Sequence, residues 1–266
     1  MKLETKAVGK VWGRRDLPPP FAVPGDEPIG EIWFEPPPEL PQVLIKYLFT
    51  SEKLSVQVHP DDAQAPAGES GKEECWLVLD AEPGAVLGIG FKKHMDREAM
   101  RAAALDGSIE GALEWHPVEA GDFFYLPAGT VHAIGPGLTL VEVQQNSDIT
   151  YRLFDYGRPR ELHLDEGIAV AKGEPYAREC HRSVSETATV TLVDGPFFRF
   201  SQIAGPPDAE MRSRHAGPVL ALPLAGSLAI GGTTIAAGEC GLARSIEAID
   251  FTRAERVLVI SAAEAR

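Results

Sequence analysis

Short runs in which apolar and polar positions alternate recur along most of the chain, cut at intervals by glycine, proline or aspartate. A period of two is the mark of strands with distinct faces. The pattern predicts strands at Gln42–Phe49, Leu54–Val58, Glu74–Leu79, Phe123–Leu126, Leu138–Gln145 and Thr150–Phe154, each bounded by turn residues. One stretch departs from this rhythm. Asp96–Leu113 (DREAMRAAALDGSIEGAL) is rich in Ala, Glu, Arg and Leu with apolar residues three or four apart, which predicts a helical insertion over about 95–114, interrupted near Gly107. A second, shorter helical pattern at Leu164–Lys172 ends in Gly173 and Pro175 and marks a boundary. From Arg178 onward glycine-punctuated strands resume, as in ATVTLVDGPFFRF and VLALPLAGSLAI. The expectation is a mainly β protein: a first domain over 1–174 and a smaller β domain over 175–266, with no sequence repeat relating them.

Composition supports that picture and narrows the function. With 26 glycines and 22 prolines among 266 residues, the chain is built for turns. Its 39 acidic and 25 basic side chains leave a formal charge of −14, which argues against nucleic-acid binding or a basic membrane anchor. The three cysteines, Cys75, Cys180 and Cys240, form no CxxC pair and are odd in number, so the reading is of small hydrophobes in a reducing compartment. The N-terminal stretch lacks the apolar core of a secretory signal, and a cytoplasmic location is expected. The most apolar run, Val219–Ile230, is broken by Pro223, Gly226 and Ser227 and falls short of the roughly 20 residues of a membrane span.

Two segments carry candidate chemistry. In SVQVHPDD, Gln57 and His59 lie two apart on a predicted strand and share a face, while Val56 and Val58 take the other. A barrel interior that accepts Gln and His must give them something to bond or coordinate, because unpartnered buried polar groups are costly. In GDFFYLPAGTVHA, Gly121, Pro127 and Gly129 set a tight turn, and the strand after it brings His132 onto a fixed face. This spacing resembles the second motif of the cupins, small double-stranded β-helix (jelly-roll) barrels whose histidines bind a divalent metal inside.

QVHPDD, then GKEECW, then the turn before His132, then VEVQQNSDITYRLFDYGR together resemble the type I mannose-6-phosphate isomerases, in their short bacterial form. WGRRDL and IGEIWFE resemble that family's opening segments, so the likeness runs from residue 11 to about 170. It implies a cupin barrel followed by a degenerate cupin-like barrel, and one Zn²⁺ held by Gln57, His59, Glu74 and His132, with Mn²⁺ or Co²⁺ as alternatives. Glu74 rather than its neighbour Glu73 is expected to face inward, because Trp76 shares its face. Ser55, Lys72, Glu142 and Arg152 fall where family members line the sugar cavity, and Arg158 stands where longer members carry a lysine. Longer members also place a histidine before the lysine of Lys-x-Glu, where this chain has Gly71. The C-terminal half has neither QxH nor PxGxxH, so no second metal is expected there. His94, His116, His163, His181 and His215 show no ligand spacing, Trp12 and Trp33 are candidates for the site entrance, and Arg14 and Arg15 for phosphate contact.

The implied activity is interconversion of mannose 6-phosphate and fructose 6-phosphate through an enediol, with a small sugar phosphate as the sole partner and no inference about oligomeric state. That chemistry needs a base near the carbon and stabilisation of charge on oxygen. Glu142 is the first choice of base and Lys72 its rival, while Arg152 and Arg158 supply cations for a phosphate entering an acidic protein. Another cupin sugar isomerase or epimerase, or a non-catalytic sugar-binding cupin, are the competing readings.

Overall fold

The computed structural model describes residues 1–22 and 25–263. The chain opens with β1 (Thr5–Arg14), β2 (Ile29–Phe34), β3 (Val43–Phe49), β4 (Val56–Val58), β5 (Glu74–Ala81) and β6 (Val86–Phe91). The insertion follows as α1 (Arg97–Asp106) and α2 (Ile109–Ala112), where periodicity placed it. Asp96 caps α1 by accepting from the Ala99 amide at 2.8 Å, and Gly107 ends it at φ 82°, a conformation that costs glycine little. Next come β7 (Leu113–Pro117), β8 (Asp122–Leu126), β9 (His132–Ile134), β10 (Leu138–Gln145), β11 (Tyr151–Phe154) and α3 (Leu164–Val170).

These strands form two antiparallel sheets. With β12 (His181–Ser183), the first runs β1-β2-β3-β10-β5-β8-β12, and the second runs β11-β4-β9-β6-β7. Trp76, Phe124 and Leu140 from the first meet Leu87, Ile89 and Ile134 from the second in one buried cluster, the inside of a flattened barrel. Both outer faces are covered as well. Val56, Val58 and Leu153 turn outward against Met100, Ala104 and Ile168 of the helices, so the insertion is a lid on the back of the second sheet.

The remaining chain makes a third sheet from β13 (Val190–Asp194), β14 (Phe198–Ala204), then α4 (Ala209–Arg214), β15 (Val219–Ile230), β16 (Thr233–Ala236), β17 (Gly241–Ala243), β18 (Ile249–Asp250) and β19 (Ala254–Ala262). It packs Phe198, Phe200, Leu220 and Leu258 against Ile45, Tyr47, Leu77, Phe123 and Val141 on the outer face of the first sheet. Strands β3, β5 and β10 are therefore buried on both faces, which is why β3 and the middle of β5 read as nearly continuous apolar runs, while β10 turns its polar residues into the barrel. Cys75 and Cys240 are buried and Cys180 is half-buried, all three as free thiols. Among the described residues no helix is long and apolar enough to cross a membrane.

His215, just after α4, is fully buried between the Ser201 and Ser261 hydroxyls, each 2.8 Å from a ring nitrogen. Burial, and then the nearby Arg214 and Arg199, lower its pKa to about 4. Between that value and the ordinary 6.5 the unfolded chain binds the extra proton, so this contribution to stability is complete above pH 6.5 and is lost as pH falls toward 4. The loss amounts to about 3 kcal/mol at most. Urea titrations across this range are expected to give a flatter pH dependence for His215→Gln than for the parent; equal slopes would remove the histidine from the account.

Candidate metal centre and cavity

Alternation within the strands decides what enters the barrel. On β10, Val141 and Val143 face the third sheet, which turns Glu142 and Gln144 inward; on β5 the same logic turns Glu74 and Trp76 inward. The register then sets Glu142 beside both Lys46 and Trp76, and Gln144 beside Glu74. From the opposite sheet, Gln57 on β4 is paired with His132 on β9.

His59, Glu74 and His132 converge, their ligating atoms all within 4.8 Å of one another and all three side chains buried. His59 Nε2 lies 3.5 Å from Glu74 Oε2, and His132 Nε2 lies 3.4 Å from Glu74 Oε1. Each imidazole donates its Nδ1 proton to a backbone carbonyl, His59 to Ile149 at 2.7 Å and His132 to Thr130 at 2.9 Å. A carbonyl can only accept, so both Nε2 atoms present lone pairs toward Glu74. Burial holds the His59 pKa well below its usual range, with the Lys72 ammonium adding to the effect, and burial lowers His132 against the opposing pull of Glu74. Both imidazoles are kept in the neutral form that binds metal.

Glu74 is the sharper indicator. Burial alone would raise its pKa, but the adjacent Lys72 ammonium outweighs it and the carboxyl is held low. Lys72 Nζ stands 2.6 Å away, yet neither Glu74 oxygen has a donor aligned for a hydrogen bond. A buried, ionised carboxylate whose one close cation is Lys72, set beside two imidazole lone pairs that only Lys72 and the Gln57 amide approach, suits a divalent cation. Gln57 adjoins this group, its amide 3.2 Å from His132 Nε2 and its Oε1 accepting from Ser55 Oγ at 3.2 Å. A half-turn of the amide would bring its oxygen toward the lone pairs.

Above the triad opens a cavity of about 350 Å³, whose walls include Trp12, Trp33, Lys46, Ser55, Gln57, Lys72, Glu142 and Arg152. Glu142 is held at both oxygens, by Lys46 Nζ at 3.1 Å and by Trp76 Nε1 at 3.0 Å. Lys72 also approaches His59 Nε2 at 3.0 Å; burial would lower its pKa, but Glu74 and Glu142 prevail and raise it. Glu73 points away from the cavity and accepts from the Tyr125 hydroxyl.

Arg158 is not among the cavity residues. Its guanidinium binds the Lys53 carbonyl at 2.8 Å and Glu52 at 2.7 Å, whereas Arg160 and His163 do line the cavity. Spacing from Arg152 does not foretell this, because the chain turns at Tyr156 and Gly157, both with positive φ. Arg14 and Arg15 border a separate hollow of about 380 Å³, with Arg14 paired to Glu82 at 3.5 Å. Lys46 and Glu31 went unread in the sequence although each carries a signal. Lys46 is the one charge in VLIKYLF, and Glu31 alternates with Ile29 and Trp33 on one face. Trp33 Nε1 donates to Glu31 at 2.6 Å, and the Lys46 ammonium sits 4.5 Å from the Trp33 ring centre.

Comparison with known proteins agrees with this geometry. No family model matches the chain. It is 43% identical over 166 residues to a mannose-6-phosphate isomerase of Streptococcus mutans, a match covering 59% of this chain and 52% of that protein. A probable mannose-6-phosphate isomerase of Bacillus subtilis is 38% identical over 209 residues, covering 74% of this chain and 61% of its own length. The chain thus spans about half to three-fifths of the curated relatives it matches. Among solved structures, a mannose 6-phosphate isomerase from Bacillus subtilis superposes with a TM-score of 0.78 at 24% identity, covering 98% of both chains. A structure described as a putative mannosephosphate isomerase from Archaeoglobus fulgidus gives 0.74 at 17%, covering 98% of this chain and 96% of the other. The chain has the cupin fold of the phosphomannose isomerases and is homologous to proteins curated as mannose-6-phosphate isomerases.

Proposed function

We propose that this protein interconverts mannose 6-phosphate and fructose 6-phosphate in the cytoplasm, with one Zn²⁺ held by Gln57, His59, Glu74 and His132. The observation that carries the reading is the buried His59–Glu74–His132 group beneath a cavity that also presents Glu142, Lys72 and Arg152. When bound, the metal supplies Lewis-acid stabilisation of negative charge on a sugar oxygen.

The rest is work for side chains. Glu142 removes the proton from C2 of the aldose and returns it at C1 while the O2 hydroxyl proton passes to O1, and Lys46 and Trp76 fix its carboxylate for that transfer. Lys72 is already engaged with Glu74 and His59, which makes it a hydrogen-bond donor to substrate oxygen rather than the base. Arg152, on the cavity wall, binds the phosphate or a neighbouring hydroxyl. Ser55 orients the Gln57 amide, and the two tryptophans at the wall keep the enediol from bulk water.

A coupled assay with mannose 6-phosphate tests the reading, before and after chelation and with metal restored. Activity lost to the chelator and regained with zinc is the expected result. A fully loaded protein without turnover would overturn it and point to another sugar or to binding without chemistry. Restoration by manganese or cobalt but not zinc would overturn only the choice of metal.

A further inference from the structure

We propose that Arg160 and His163, alongside Arg152, build the seat for the substrate's phosphate, an inference that rests on the isomerase reading above. All three line the cavity near Asp148 and Thr150.

Asp155 is fully buried and its carboxylate accepts from Arg160 twice, from Nε and from Nη2, both at 2.6 Å. That two-pronged contact fixes the plane of the guanidinium and leaves Arg160 Nη1 without a protein partner among the described residues. Arg152 spends Nη1 on the Glu161 carbonyl at 3.1 Å, which leaves its Nε and Nη2. The Arg152 amide in turn donates to His163 Nδ1 at 3.3 Å. A neutral His163 accepting at Nδ1 carries its proton on Nε2, where no described residue receives it. Two guanidinium edges and one imidazole N–H thus converge on one part of the cavity, and β11 and α3 bracket the loop that presents them.

Charge points the same way. The protein carries −14 overall, yet Arg152 and Arg160 stand on this cavity wall with Asp148, while Asp155 behind them is already paired. A phosphate monoester, with nearly two negative charges and three acceptor oxygens, matches this donor set better than a sugar hydroxyl does. Both arginines reach Asp155, Arg160 through two bonds at 2.6 Å and Arg158 through one at 3.3 Å, but Arg158 is also held by Glu52 and the Lys53 carbonyl and is not on the cavity wall.

Calorimetric titration with fructose 6-phosphate, fructose and inorganic phosphate, on metal-loaded and on chelated protein, separates the seat from the chemistry. Arg160→Ala is expected to weaken fructose 6-phosphate binding by roughly tenfold or more, and His163→Phe by about threefold. Fructose affinity and metal content should stay at parental values, and in the assay KM should rise with kcat little changed. Arg160→Lys, which keeps a charge beside Asp155, guards against misfolding and should recover part of the loss. Either single variant binding within twofold of the parent, or Arg158→Ala weakening binding more than Arg160→Ala, would overturn the assignment. Phosphate binding that depends on Arg160 in a protein without mannose 6-phosphate turnover would instead uphold the seat and overturn the isomerase reading.

Discussion

Glu142→Gln is expected to lower turnover of mannose 6-phosphate by about a hundredfold or more, while metal content stays at the parental level. The substitution removes a proton acceptor and little else. Trp76 Nε1 can still donate to the amide oxygen, and Lys46 keeps Gln144 Oε1 at 2.6 Å as a partner. Breaking a buried ion pair carries a stability cost of its own, so denaturant unfolding should accompany the kinetics and metal analysis. A folded, loaded variant with near-normal rates would transfer the base role to Lys72, the other titratable side chain in the cavity that touches the triad.

Glu74→Ala should abolish metal retention, with bound metal below about a tenth of parental stoichiometry and activity falling alongside. A second readout does not depend on turnover. Zinc at a hundredfold excess over its dissociation constant should stabilise the parent by about 2.7 kcal/mol, seen as a higher melting temperature. Removing Glu74 also strips the buried Lys72 ammonium of its carboxylate partner at 2.6 Å, so the variant should melt below the chelated parent. A variant that still showed the zinc-dependent rise would mean that the two histidines and Gln57 suffice.

Much of this was legible in the chain because strand periodicity and ligand geometry are the same signal. Spacing by two put Gln57 and His59 on one face, and the choice of Glu74 over Glu73 followed from the company of Trp76, which the structure buries beside it. The helical insertion was equally plain, since its periodicity and Gly107 are local features. Contacts made by folding were not. Lys46 reaches Glu142 only through the pairing of β3 with β10, a register that neither strand encodes alone. Arg158 and Arg160 are alike by sequence and both reach Asp155, and what separates them is the further hold of Glu52 and the Lys53 carbonyl on Arg158, contacts from a distant part of the chain. The double burial of β5 and β10 was not legible, because their second cover, the C-terminal sheet, begins about 45 residues along the chain from the end of β10.

The turn that carries His132 is bolted to the strand end that carries His59: the Gly129 amide donates to the His59 carbonyl at 2.8 Å, and Gly129 and Lys172 are joined by a further backbone hydrogen bond at 2.8 Å. A side chain at Gly129 would meet the Val170 carbonyl at 2.9 Å, so the clasp has no room for any residue but glycine. The two histidines of the candidate centre are thus tied together by peptide groups, unlike the ligands of small metal domains in which binding and folding are one event. A site tied in this way would take up or release an ion without the barrel coming apart.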